Sequence, residues 1–283
     1  MLNPFRRSLL YVPGDQKKML DKIDSRECDS IIIDLEDAVA PAHKCQAREN
    51  AREYLLNKTS DRETFVRVND VFSSYFLEDV KMAVGAGADG IVLPKSDKEA
   101  AEKAEAILQL VDRAGKLKMI LLVETAEGLM ELREAVQGTT RVIAVQFGAE
   151  DYTRDMEIAR TKEGREVEVA RQWIGIICRG CGIQAIDTPF TDYKDEIGHV
   201  ADIENAKRAG MTAKTCIHPA QTSIVDLHMA PDEKEIQFAQ EVIAESEKPE
   251  NKLAGAFSLH GKMVDTPVIE RARRVLECAQ ASR

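Results

Sequence analysis

No run in the 283-residue chain approaches the ~18 consecutive apolar residues that a membrane-spanning helix needs. The longest strongly apolar pieces, such as Met119–Val123, have the length of a strand. No apolar stretch of signal-peptide length follows the charged start, Met1–Arg7, so neither a membrane role nor export is expected. Basic residues are in deficit: Lys+Arg 39 against Asp+Glu 49 gives a net charge of −10. Such a chain has no global positive field to gather phosphates, which excludes a nucleic-acid scaffold but not a small anion held by a local basic patch. Six cysteines without a secretion signal read as reduced thiols of a cytoplasmic protein. Cys178 and Cys181 form a lone CxxC with no second cysteine pair; a structural, non-reactive role fits better than zinc or redox chemistry.

What the sequence does have is alternation. Short β-branched runs at Ser8–Val12, Ser30–Leu35, Phe65–Asn69, Gly90–Pro94, Met119–Glu124, Val142–Phe147, Ile183–Thr188 and Ala213–Ile217 read as strands. A helical pattern follows each, most clearly over Asp97–Ala114, where Ala100, Ala104, Ile107, Leu108 and Val111 form a stripe. Gly85, Gly87, Gly115, Gly182 and Gly210 fall where helices should end. Eight such units in about 220 residues predict an α/β fold of the (β/α)8 barrel type. The competing doubly wound sheet lacks its GxGxxG, since Val12-Pro13-Gly14-Asp15 offers a single glycine. The expected division is a barrel over residues 1–229 and an extension over residues 230–283. The extension has helices at Asp232–Ser246 and Pro267–Ala281 around a looser stretch, Lys248–Asp265, and reads as a helical lid, a subunit contact or plain packing.

Charged residues gather at the carboxyl ends of the strands, where a barrel builds its active site. Period-two alternation puts Ile32, Asp34 and Glu36 on one face, with Asp37 opening the loop, and it aims Arg67 and Asn69 together. Lys95, Glu124, Glu150 and Asp151 close strands four, five and six. A set of salt bridges at the mouth, Arg67 with Glu36 for example, is the plain alternative to a functional site. Charges inside apolar strands are costly unless paired or bound to a cation. Glu124 and Asp151 are the natural pair for Mg2+, which needs only two carboxylates when substrate oxygens and waters complete its shell. Glu36 and Asp37 could hold metal-bound waters, and Arg67 offers a planar fork for a carboxylate or oxyanion. Gly148 and Ala149 are small enough for their N–H groups to approach a bound carboxylate. Zinc is disfavoured because no His or Cys accompanies these acids. A Schiff base at Lys95 would leave the carboxylates without a role. His218 reads as a turn residue or an acid/base group. Arg6, Arg7, Lys44 and Arg48 are a solvated face or a phosphate contact.

These residues lie in segments that resemble the citrate lyase β-subunit family: Arg7–Gly14, Asp34–Val39, Val66–Asn69, Glu124–Gly128, Phe147–Tyr152, Ile217–Gln221 and Gly261–Pro267. The matches run in order over nearly the whole chain. The resemblance implies a Mg2+-dependent (β/α)8 lyase of the HpcH/HpaI aldolase type that makes or breaks a carbon–carbon bond in a CoA thioester, commonly as a trimer. It implies Arg67 as substrate-binding and catalytic residue, Glu124 and Asp151 as metal ligands, and Glu36 and Asp37 as holders of metal waters. It also implies Asp265 as an aspartate on a C-terminal lid that serves its own or a neighbouring subunit's site. The segment Gly210–Ile217 departs from the glycine-rich approach usual before the His-Pro motif. The expected partners are a CoA thioester or acyl-carrier-linked substrate and a 2-oxo acid. Thioester hydrolysis, a CoA-independent aldol cleavage and a non-catalytic carrier-binding subunit are the alternatives on the same scaffold.

Overall fold

The computed structural model describes residues 6–252 and 255–281, so most of the charged start, Met1–Arg7, and two positions of the looser stretch lie outside the described residues. Eight strands close into one parallel barrel: β1 (Ser8–Pro13), β2 (Ser30–Asp34), β3 (Glu63–Arg67), β4 (Gly90–Leu93), β5 (Lys118–Val123), β6 (Val142–Phe147), β7 (Gln184–Asp187) and β8 (Ala213–Cys216). Closure is made by β1 against β8, with Leu9 opposite Thr215. The connecting helices are α1 (Lys17–Leu20), α2 (Lys44–Asn57), α3 (Phe76–Ala86), α4 (Lys98–Val111), α5 (Ala126–Met130), α6 (Leu132–Gln137), α7 (Ala149–Asp155), α8 (Glu168–Cys181), α9 (Glu196–Arg208) and α10 (Thr222–Met229). The helix α4 starts where the Asp97 carboxylate accepts the Ala100 N–H, and it buries Ala100, Ala104 and Leu108. It ends at Val111, the last residue of its apolar stripe and short of Ala114, where the Asp112 carboxylate turns to Leu117 N–H and Arg141. Gly182, at φ +71, ends α8 in the left-handed conformation that glycine adopts without a Cβ clash.

The barrel interior changes character with height. Leu9, Ile32, Phe65, Val92, Ile120, Ala144, Ile186 and Ala213, one from each strand, form an apolar layer. Two residues further along the strands, the same inward face carries Tyr11, Asp34, Arg67, Leu122 and Gln146. The alternate residues, among them Leu10, Ile31, Ile33, Val66 and Ile91, are buried on the outer face, as helix-covered parallel strands require. Lys214 of β8 is on that outer face too. Its ammonium meets Asp187 at 2.5 Å and Asp202 at 2.6 Å, and Arg171 of α8 bonds the same two carboxylates at 2.8 and 2.7 Å. The four charges balance and tie β7 and β8 to α8 and α9. In the unusual segment before the His-Pro motif the Lys214 side chain therefore serves the barrel wall, while Ala213 joins the inward layer.

The chain forms two compact units that meet at Asp226 and Leu227. The second contains α11 (Glu233–Ser246), α12 (Pro249–Lys252), an antiparallel hairpin of β9 (Ala256–Leu259) and β10 (Lys262–Asp265), and α13 (Thr266–Ala281). Its core gathers Ala239, Val242, Val264 and Ala272. The extension is thus not wholly helical: the stretch read as loose contains a hairpin turned at His260 and Gly261, with φ of +50 and +74.

Candidate active site

Above the apolar layer is a cavity of about 340 Å³, lined by Tyr11, Asp34, Arg67, Glu124, Gln146, Gly148, Ala149 and Asp151, with Thr188 and Ile217. The polar layer is built by strand register. Asp34 and Arg67 are paired positions of β2 and β3, so the guanidinium of one reaches the carboxylate of the other. Arg67 donates from Nε to Asp34 Oδ1 at 2.8 Å and from Nη2 to Oδ2 at 2.5 Å, a planar fork. Its Nη1 is 3.3 Å from Glu36 Oε2 and 3.9 Å from Asp37 Oδ2, and the guanidinium sits 5.1 Å from the centre of the Tyr11 ring. Burial works against the Arg67 charge, but the Tyr11 and Asp34 oxygens outweigh it and hold the guanidinium well above its ordinary pKa. The salt bridge between Arg67 and Glu36 is therefore present, and it is the weaker partner of a bond to Asp34 that the charge pattern alone did not single out.

Glu124 follows β5 and is buried; its Oε1 accepts the Lys95 N–H at 2.8 Å. Burial first, and the Asp151 charge second, push its carboxyl up to about 8. Asp151 stands in the first turn of α7 rather than at a strand end, and its Oδ1 meets Arg154 at 2.5 Å. Among the described residues no cluster of three or more His, Cys, Asp or Glu is poised around one point. A cation at Glu124 and Asp151 would therefore complete its shell with substrate oxygens and water, a donor set that suits a hard ion such as Mg2+ and not zinc.

Several expectations need correction. Both amides proposed as open donors are engaged: Gly148 N–H donates to Val123 O at 2.9 Å and Ala149 N–H to Thr188 Oγ1 at 3.2 Å. Smallness at 148 has another reason, since a Cβ there would lie 2.7 Å from Glu124 Cβ. Asn69 does not join Arg67, because β3 ends at Arg67 and Asn69 turns to Asp79 of α3, donating from Nδ2 at 2.6 Å. Glu36, beyond the end of β2, reaches Arg67 and Lys95 without lining the cavity. The basic residues read as a solvated face or a phosphate contact are bonded within the protein. Arg6 and Arg7 precede β1, at the opposite end of the barrel, bonded to Glu63 and Asp29; Lys44 donates to the Leu35 and Glu36 carbonyls, and Arg48 to Asp79.

His218 Nδ1 accepts the Ala220 N–H at 3.2 Å and its ring stacks on Tyr193, so it caps a turn. Cys178 is buried, and desolvation pushes its thiol up to about 12, out of reach of thiolate chemistry. For Lys95, burial opposes the charge but Glu36 outweighs it and raises the pKa, which keeps the amine protonated and non-nucleophilic. Asp265 belongs to the second unit, where it ends β10 and its Oδ1 accepts the Val268 N–H at 3.4 Å. The sequence reading passed over Tyr11 and Gln146, and it placed Asp34 on the inward face without giving it a role. Tyr11 and Gln146 bond each other at 2.9 Å across the cavity floor, and a lone glutamine inside an apolar strand was the available signal.

Comparison with known proteins adds the following. The family model described as HpcH/HpaI aldolase/citrate lyase matches residues 7–219. The citrate lyase subunit beta of Leuconostoc mesenteroides subsp. cremoris is 36% identical over 284 residues, covering 98% of this chain and 94% of the relative. The human mitochondrial citramalyl-CoA lyase is 31% identical, covering 97% of this chain and 85% of the relative. A solved structure of the protein CitE from Mycobacterium tuberculosis, in complex with magnesium, acetoacetate and coenzyme A, superposes with a TM-score of 0.83 at 27% identity, covering 99% of this chain and 100% of the other.

Proposed function

The chain belongs to the HpcH/HpaI aldolase/citrate lyase family, and from that premise we propose that it is a Mg2+-dependent carbon–carbon lyase of 3-hydroxyacyl-CoA thioesters, releasing an acyl-CoA and a 2-oxo acid. The observation that carries this reading is the convergence, on one cavity, of two carboxylates at the ends of adjacent units and a buried arginine locked in place by Asp34. Glu124 and Asp151 would hold the ion, which when bound lowers the pKa of a chelated hydroxyl and polarises the neighbouring carboxylate.

The chain's own residues do the rest. Arg67 sits where it can meet a substrate carboxylate or the oxygen charge that develops on the thioester as the bond breaks. The reaction balances simply: the hydroxyl gives its proton to a base, its oxygen becomes the ketone of the 2-oxo acid, and the electrons of the broken C–C bond pass to the thioester enolate. That enolate then takes a proton at carbon. Asp265 is the base in this reading, supported by the match of the Gly261–Pro267 segment to the family; it would act in its own or in a neighbouring subunit. Glu36 and Asp37 would order water beside Arg67. We place the enzyme in the cytoplasm as a homotrimer, in keeping with its family and with six cysteines read as reduced thiols.

The test is incubation with Mg2+ and a panel of citryl-, citramalyl- and malyl-CoA, following 2-oxo acid and free thiol together. A 2-oxo acid released without free thiol is expected; free thiol alone would mean a thioesterase. Glu124→Gln and Asp151→Asn should each cut turnover by at least about 100-fold, the scale of losing a positioned charge in a dry site. Full activity in both would refute the metal assignment.

A further inference from the structure

Lys95 takes part in none of the steps above, yet it touches both halves of the site. It follows β4 through Pro94 with φ +50, a left-handed backbone that a residue carrying a Cβ occupies only under strain. That turn aims its N–H at Glu124 Oε1, 2.8 Å away. Its ammonium, 41% exposed, lies 3.3 Å from Glu36 Oε1, whose other oxygen is 3.3 Å from Arg67 Nη1. Ser96 closes the turn, donating from N–H to Leu122 O at 3.0 Å and from Oγ to Leu93 O at 2.7 Å. Glycine would take this conformation freely but would not be confined to it.

We propose that Lys95 is a positioning residue for the metal-binding carboxylate Glu124. The pair between its ammonium and Glu36 holds the backbone in the left-handed turn, and the turn commits one oxygen of Glu124 to the amide. The other, Oε2, which would be 2.8 Å from a Cβ at Gly148, is left beside that bare glycine to bind the ion. Glu124 would then bind through one oxygen, with its orientation set from strand β4 rather than from its own strand. This rests on Glu124 being a metal ligand, and the experiment separates the two claims.

Calorimetric titration of the full chain with Mn2+, without substrate, should compare wild type with Glu124→Gln, Lys95→Met, Lys95→Gln and Lys95→Arg. Loss of a group that orients a ligand weakens binding about 10–100-fold, so both neutral variants should bind Mn2+ at least about tenfold more weakly. Lys95→Arg, which keeps the charge on Glu36, should recover most of that loss. In turnover with the thioester, Lys95→Met should lower kcat and leave KM nearly unchanged. Wild-type Mn2+ affinity in both Lys95→Met and Lys95→Gln, with binding lost in Glu124→Gln, would overturn the role of Lys95 alone. Wild-type affinity in Glu124→Gln would overturn the metal reading and this proposal with it.

Discussion

Glu124 is a buried carboxyl beside a second acid, and its protonation sets how the metal-free protein responds to pH. In the folded chain it holds its proton up to about pH 8, against an ordinary value of 4.5. The folded state therefore binds the extra proton in that window. Its stabilising contribution is complete below about pH 4.5 and is lost as pH rises through about 8. In EDTA, Glu124→Gln should be more stable to urea than wild type at pH 8, by on the order of a few kcal/mol, and nearly equal at pH 5. Equal midpoints at both pH values would contradict this, and saturating Mg2+ should reverse the order. Asp34 offers a second check. Asp34→Asn breaks the fork that aims Arg67, so kcat/KM should drop by roughly 100-fold through misplacement, with Mn2+ affinity unchanged in calorimetry. That Arg67 and Glu124 face one cavity was legible in the sequence because strand periodicity and position at a carboxyl end are local signals, whereas Asp151 joins them from the first turn of α7. The Asp34 contact was not, since it depends on the register that sets β2 against β3.

The alternation of strands and helices was readable because each unit carries its own period and its own stop. Ends were less so. The strands β2 and β3 stop at Asp34 and Arg67, where backbone bonding passes to loops, and this is what turns Asn69 away from the cavity. The β9–β10 hairpin escaped notice because its strands have four residues each and stay half exposed, with little apolar alternation to read. The segment that departs from the glycine-rich approach contains Lys214, which anchors the wall through a closed set of four charges. Lys214→Met should leave Asp187 and Asp202 with Arg171 alone and destabilise the barrel by about 3–5 kcal/mol, measured by urea unfolding. A loss under about 1 kcal/mol would mean that the cluster relaxes around the gap.

For the whole molecule, a net charge of −10 meets a strongly anionic thioester, so long-range attraction cannot gather the substrate. Raising ionic strength from 50 to 200 mM should therefore leave KM within about threefold, since no favourable field is there to be screened. Removing Mg2+ should abolish turnover at either salt. A steep rise of KM with salt would mean a basic docking track. The two layers inside the barrel carry a further consequence. With Leu9, Ile32, Phe65 and their neighbours filling the space beneath Tyr11 and Gln146, the cavity is closed from below by the apolar layer. In the proposed reaction the acyl-CoA, whose nucleotide tail is too large for the cavity, would stand at its mouth, and the 2-oxo acid would be left inside beside Glu124 and Asp151. Departure would then be queued, the thioester first and the keto acid last. Steady-state inhibition should show it, with the 2-oxo acid competing against the substrate for the empty enzyme and the acyl-CoA giving a mixed pattern.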